Sequence, residues 1–113
     1  MNQLETSNAL IQTKANFFKT GFHAYHGELM LTDQGLIFDA QAMGKVTIPY
    51  SQMRVVWVQV VLRRIYRGIV IEAPDGRRFH FVTSHTKKLL HVLNKQVPVG
   101  TVRDWRKSVK QGG

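Results

Sequence analysis

Apolar and polar positions alternate over most of the first eighty residues. In GELMLT, Leu29 and Leu31 share one face, while Glu28, Met30 and Thr32 take the other. In RRFHFVT, Phe79 and Phe81 alternate in the same way with Arg78 and His80. A period of two is the signature of half-buried strands. Turn chemistry interrupts the alternation at short intervals. Asp33-Gln34-Gly35 separates two apolar runs, and Gly35 is free to take the positive φ of a three-residue hairpin. Ala42-Met43-Gly44 repeats that logic, and Pro74-Asp75-Gly76 presets a turn with its proline and closes it with its glycine. Gly27 and Gly68 read as two further strand starts. The pattern predicts seven strands, at roughly 14–24, 28–33, 36–40, 45–48, 53–62, 68–73 and 78–83.

After Ser84 the period changes. Leu89, Leu90, Leu93 and Val97 recur at helical spacing, opposite Lys87, Lys88, His91, Asn94 and Lys95. Ser84 is the expected N-cap, and Pro98 ends the helix. A second short helical signal follows, with Thr101 as its cap and Val102, Trp105 and Val109 on one face. It is too short to be stable unless it docks on something. The chain thus divides into an N-terminal arm over 1–12, a β-rich domain over 13–97 and a basic amphipathic tail over 98–113. Seven strands joined by hairpins form an antiparallel sheet. With one C-terminal helix, the expected fold is mainly β: a pleckstrin-homology-like (PH-like), seven-stranded, antiparallel, partly open barrel capped by that helix. The competing class is a small β-sandwich.

The run Val55-Val56-Trp57-Val58-Gln59-Val60-Val61-Leu62 departs from simple alternation. Val56, Val58, Val60 and Leu62 are assigned to the core. Val55, Trp57, Gln59 and Val61 would then face outward, too apolar a strip for open water. Val55, Trp57 and Val61, together with Trp105 of the tail, are therefore the expected partner interface, covered either by the tail helix or by a second chain.

Composition narrows the possible functions. The chain has 113 residues, 43% of them hydrophobic, which suffices for one domain with a core. No cysteine is present, which excludes disulfides, thiol catalysis and cysteine zinc sites and fits a reducing compartment. The longest nearly apolar run is far shorter than the ~20 residues of a spanning helix. The start lacks the basic and apolar regions of a secretion signal. A cytoplasmic protein is expected, held at a membrane only through a partner.

Net charge is +9 and is unevenly placed. Residues 1–50 hold three lysines against four acids, a balance of −1. Residues 51–113 hold 13 Lys and Arg against Glu72, Asp75 and Asp104, a balance of +10. Such a half attracts acidic proteins, nucleic acid or anionic surfaces. The residues expected to meet an anionic partner are Arg63, Arg64, Arg67, Arg103, Arg106, Lys107 and Lys110.

Catalytic patterns are missing from the sequence. There is no GxSxG or SxxK nucleophile motif, no HExxH and no phosphate-cradling glycine loop. His23 and His26 lie three apart on a strand, hence on opposite faces. His80 should point outward beside Phe79 and Phe81. The expectation is a protein without enzymatic activity, cofactor or metal. The first hairpin, GFHAYHG, contains no Lys or Arg, so specific phosphoinositide binding is not expected. The tail TVRDWRKSVK interleaves a tryptophan with basic residues, a pattern suited to nucleic acid, but no nucleic-acid-reading motif accompanies it.

Taken in order, QTKANFF, GELMLTDQGLIF, VTIPYSQMRVVWVQV, DGRRFHF and KKLLHVLNKQVP resemble the ManO-like family of mannose phosphotransferase operons, a domain of unknown function. The resemblance covers about residues 11–111. It implies a PH-like or GRAM-like fold and a regulatory role in the mannose phosphotransferase system. It supplies no catalytic residues. Arg63-Arg64 and Tyr66-Arg67 are more basic than that family's pattern. The expected function is a non-enzymatic accessory or regulatory protein acting through protein contacts, with a phosphotransferase subunit as partner and a homo-oligomeric state. The alternative is a nucleic-acid-binding transcriptional regulator that uses the basic C-terminal half.

Overall fold

The fold was analysed in a computed structural model. It describes residues 9–20, 23–61 and 65–104. Eight strands and one helix are present among them: β1 Ile11–Thr20, β2 His23–Leu31, β3 Gly35–Ala40, β4 Gly44–Pro49, β5 Val55–Val61, β6 Ile65–Glu72, β7 Arg78–Val82, α1 Thr86–Gln96 and β8 Val102–Asp104. A 3-10 turn, Tyr50–Gln52, links β4 to β5. The strands form one open sheet in the order β4-β3-β2-β1-β7-β6-β5-β8. Seven strands pair antiparallel, as their hairpin connections require. The eighth, β8, pairs parallel to β5 (Val56 opposite Val102). The architecture is therefore mainly β with one helix, and the sheet is mixed and eight-stranded.

Two expectations are corrected here. The segment after Thr101 continues as strand β8, not as a capped helix. Val102 and Asp104 alternate with Arg103 in a pattern that a short strand satisfies as well as a helix, and the free edge of β5 supplies backbone partners: the Val56 N–H donates to the Thr101 carbonyl at 2.9 Å. The strand predicted over 14–24 is also misplaced. β1 ends at Thr20, β2 begins at His23 antiparallel to it, and β2 runs straight through Gly27.

Gly27 is thus a close-approach site within a strand. A Cβ there would lie 2.4 Å from the Asp39 carbonyl oxygen. Gly68 serves the same purpose within β6, where a Cβ would lie 2.2 Å from the carbonyl oxygen of Phe81. Gly35 does not take a positive φ, whereas Gly44 and Gly76 do. The turn before Gly35 is closed instead by Thr32, whose hydroxyl accepts from the backbone N–H groups of Gln34 at 3.0 Å and Gly35 at 3.2 Å.

The inner face of the sheet and the leucine stripe of α1 form the core. Leu29, Leu31, Leu36, Phe38, Ile69, Ile71, Phe81, Leu89 and Leu93 are completely or almost completely buried. Each such side chain contributes about 1.5–3 kcal/mol relative to exposure. Phe17 joins the sheet's two halves, with its ring centroid 5.7 Å from Phe38 and 5.0 Å from Phe81. The helix packs on β6 and β2. Its N-cap is His85 rather than Ser84, with no side-chain cap bond. Threonines hold the junction instead. Thr86 donates to the Thr83 carbonyl at 2.9 Å, and Thr13 Oγ1 shares a hydrogen bond with His85 Nδ1 at 2.9 Å. Among the described residues, no buried side-chain N or O lacks a partner.

Candidate functional site

Strand β5 alternates as its sequence requires: Val56 and Val58 are buried inward and Val60 packs against the core. The outer face is not uniform. Val55, expected on an open surface, is only 1% exposed. At this end β5 is flanked on both sides. Val55 pairs with Glu72 of β6, and the Thr101 step leading into β8 lies along the other edge. At the far end, beyond the three residues of β8, Val61 is 37% exposed and its cross-strand partner Ile65 is 50% exposed.

Trp57 lies between these ends and is half-buried. It pairs with Val70 on one side and with Arg103 of β8 on the other. The Arg103 guanidinium carbon sits 5.9 Å from the Trp57 ring centroid, in cation–π range. Arg103 Nε donates to the Gly100 carbonyl at 2.9 Å, which holds the guanidinium in place. The indole N–H donates to Glu72 Oε1 at 3.4 Å. Glu72 also pairs with Arg54, and with Arg78 at 3.5 Å. The hydrogen bond from Arg54 holds the Glu72 carboxyl below the usual carboxylate range, helped by the Trp57 hydrogen bond and the charges of Arg54 and Arg78. Glu72 was not singled out from sequence, although a carboxylate ending the apolar run GIVIE was the available signal.

The structure brings together two of the expected site residues, Trp57 and Arg103. It leaves Val61 exposed at the hairpin end and removes Val55 from the surface. Arg67 is the extra residue of a β-bulge, since Gln59 pairs with Gly68 and Val60 with Tyr66. Trp105, Arg63, Arg64, Arg106, Lys107 and Lys110 lie outside the described residues. His80 does face outward, but half-buried, with Nε2 2.6 Å from Gln59 Oε1 and its ring 5.3 Å from that of Phe18. Burial lowers its pKa, and the charge of Arg67 adds to that.

A cleft of about 750 Å³ opens between α1 and the β5–β8 edge. Val58, Leu90 and Val102 are its apolar lining, and Trp57 and Tyr66 its aromatic one. Lys87, His91 and Asn94 reach it from one stripe of α1, and Arg103 and Asp104 from β8. Lys87 Nζ lies 5.4 Å from the Tyr66 ring centroid, a second cation–π pair. Among the described residues no cluster of three or more His, Asp or Glu side chains could hold a metal ion. No described helix is long and apolar enough to cross a membrane.

The sequence profile of the family described as Domain of unknown function (DUF956) matches residues 1–110. The chain belongs to the DUF956 family. No curated protein matches it. Among solved structures, this DUF956 protein is similar to the crystal structure of the C-terminal domain of an unknown protein from Leishmania infantum. The two are 14% identical, with a TM-score of 0.68 over 78% of this chain and 82% of that one. At that identity the likeness is one of fold. Family membership brings no activity with it, so the functional reading of this DUF956 protein rests on its own surface.

Proposed function

We propose that this DUF956 protein is a non-enzymatic accessory or regulatory factor of the mannose phosphotransferase system, acting by protein contact on a PH-like scaffold. The observation that carries the contact reading is the Trp57–Arg103 pair at the β5–β8 edge. Tryptophan and arginine are the residues most often found at the energetic centre of protein interfaces. Here both are held in place, by Glu72 and by the Gly100 carbonyl. Exposed Val61 and Ile65 extend the surface along the same hairpin. The basic half of the chain, with Arg63, Arg64, Arg67, Arg106, Lys107 and Lys110, would steer an acidic partner toward it. The link to the mannose phosphotransferase system comes from the ManO-like resemblance. The PH-like reading is supported by the order β4-β3-β2-β1-β7-β6-β5 with a following helix on the core, to which β8 is an addition. A cytoplasmic site, a homo-oligomeric state and membrane attachment only through the partner belong to the same proposal.

The test is direct binding of the purified protein to each purified mannose phosphotransferase subunit at moderate salt. One subunit should bind, and Trp57→Ala and Arg103→Glu should each weaken that binding at least about tenfold, as loss of a central interface residue does. Absence of binding to every subunit would sink the proposal. So would a steeply salt-dependent shift of duplex DNA without subunit binding, which would instead favour a nucleic-acid-binding regulator.

A further inference from the structure

The face of the sheet turned away from α1 carries a pattern that extends well beyond the Trp57–Arg103 pair. The strand registers align its side chains in straight rows. Arg103, Trp57, Val70, His80, Phe18 and Ala24 are successive cross-strand partners over β8, β5, β6, β7, β1 and β2. Along their strands they alternate with buried inner residues such as Val56, Ile69, Phe81 and Phe17, so the row lies on the outer face. Two residues to one side, Gln59, Gly68, Val82, Asn16 and His26 form a second row. Two residues to the other side, Val55, Glu72 and Arg78 form a third.

The first row is aromatic at its centre. Phe18 and His80 are both partly exposed, with ring centroids 5.3 Å apart and planes inclined by 31°. The second row offers neutral hydrogen-bonding groups: Gln59, whose Oε1 is 2.6 Å from His80 Nε2, and the Asn16–His26 pair. Cations lie at the margins. Arg54 and Arg78 are exposed and share the one acid of these rows, Glu72, with the Trp57 indole. Arg103 ends the first row, and Arg67 in the bulge beside Gly68 is near enough for its charge to lower the His80 pKa. Four arginines against one carboxylate give this surface a balance of +3. A protein helix laid here would meet a histidine and amides where it needs aliphatic cover. Rings, amides and flanking arginines match instead a polyanion that presents flat bases.

We infer that this outer face binds a short stretch of single-stranded nucleic acid. Bases stack on Phe18 and His80, their edges meet Gln59, Asn16 and His26, and their phosphates are drawn to Arg54, Arg67 and Arg78. From Trp57 to Phe18 the row crosses three strand spacings, about 14 Å. A duplex keeps its base faces within its own stack, so it can use only the arginines. The inference does not rest on the phosphotransferase reading, and no subunit enters its test.

The experiment is a fluorescence-anisotropy titration of labelled oligo(U) RNA, oligo(dT) DNA and a mixed-sequence duplex, each about twelve nucleotides long, with the full-length chain at several salt concentrations. Chemical-shift mapping of the isotope-labelled protein accompanies it. At least one single strand should bind saturably and about tenfold or more tighter than the duplex, and whichever binds more tightly identifies the class of strand. It should shift the amides of Val70, His80, Phe18 and Ala24 together. Phe18→Leu, which keeps apolar bulk and removes the ring, should weaken binding by about fivefold or more, the loss of one stacked base. Arg67→Gln and Arg78→Gln should each lower the slope of log affinity against log salt by about 0.7, one phosphate contact. Failure of both single strands to bind, duplex binding as tight as theirs, or shifts confined to residues 98–113 would each overturn the inference. So would unchanged affinity in a folded Phe18→Leu chain, or salt slopes unchanged in both arginine variants. Ligand-free spectra report whether each variant is folded. If Phe18→Leu is not, His80→Gln, which removes the other ring and keeps a hydrogen-bonding group, carries the same comparison.

Discussion

The two ends of β5 have nearly the same composition but different environments. At the first end, Val55 is closed in by β6 and by the approach to β8, and the adjoining Trp57 is tied to Glu72 and Arg103. At the other end, Val61 and Ile65 face each other in the open. The difference follows the extent of one short strand, which pairs along Val56–Val58 and not beyond. Because β8 is three residues long, it covers only the beginning of β5. A buried valine and an exposed valine therefore sit on the same face of the same strand, six residues apart. Apolar character on an outer face does not by itself mark an interface. It marks one only where neighbouring backbone fails to cover it.

The largest effect should come from placing a charge at the covered end. Val55→Asp puts an unpaired carboxylate at a position with 1% exposure, and should lower the free energy of unfolding by about 3 kcal/mol or more in urea titration. A loss below about 1 kcal/mol would mean that this end of the strand is open after all.

A medium effect concerns pH. Glu72 has a folded-state pKa below its ordinary value, so the unfolded chain binds its proton first as pH falls. Its stabilising contribution is therefore complete above the usual glutamate range, and is lost as pH drops through that range toward the lowered folded value. His80 acts with the same sign in a higher window, since burial lowers its folded pKa below the ordinary histidine value. Urea midpoints measured against pH should fall in two steps on acidification. Glu72→Gln should shrink the lower step, to which Asp75 also contributes through its hydrogen bonds with Arg77, and leave the upper one. A Glu72→Gln profile identical to that of the parent would show that the Arg54–Glu72–Trp57 cluster does not hold in solution.

The smallest stability effect is expected at the open end. Ile65→Asp should change the unfolding free energy by no more than about 0.5 kcal/mol, as surface substitutions generally do. The same variant should weaken subunit binding if the hairpin end belongs to the contact surface. A large loss of stability would show that something covers Ile65 and would erase the contrast between the two ends.

Much of this molecule can be read along the chain. The alternation in GELMLT and FHF gives the strands and the face of each side chain. The Leu89, Leu90, Leu93 and Val97 stripe gives the helix and its buried side, and Gly76 and Gly44 give two of the turns. Gly27 and Gly68 are not legible as close-approach sites, because a glycine that starts a strand and a glycine that lets another backbone approach look alike in sequence. Ser84 does not cap the helix, because its neighbours Thr83 and Thr86 carry hydroxyls equally able to bond the chain at that junction. Of the site, Trp57 and Arg103 were legible singly, but their pairing was not, because 46 positions in the chain separate them.

What the sequence determined by itself was periodicity: which residues alternate, which fall on a helical stripe, and that positive charge gathers in the second half. Those properties are local and follow from the geometry of strand and helix. What the tertiary structure decided was which stretches of a given face are covered. That depends on β8 finding the free edge of β5, a pairing between distant segments made through backbone groups that every residue carries, so no side-chain pattern announces it.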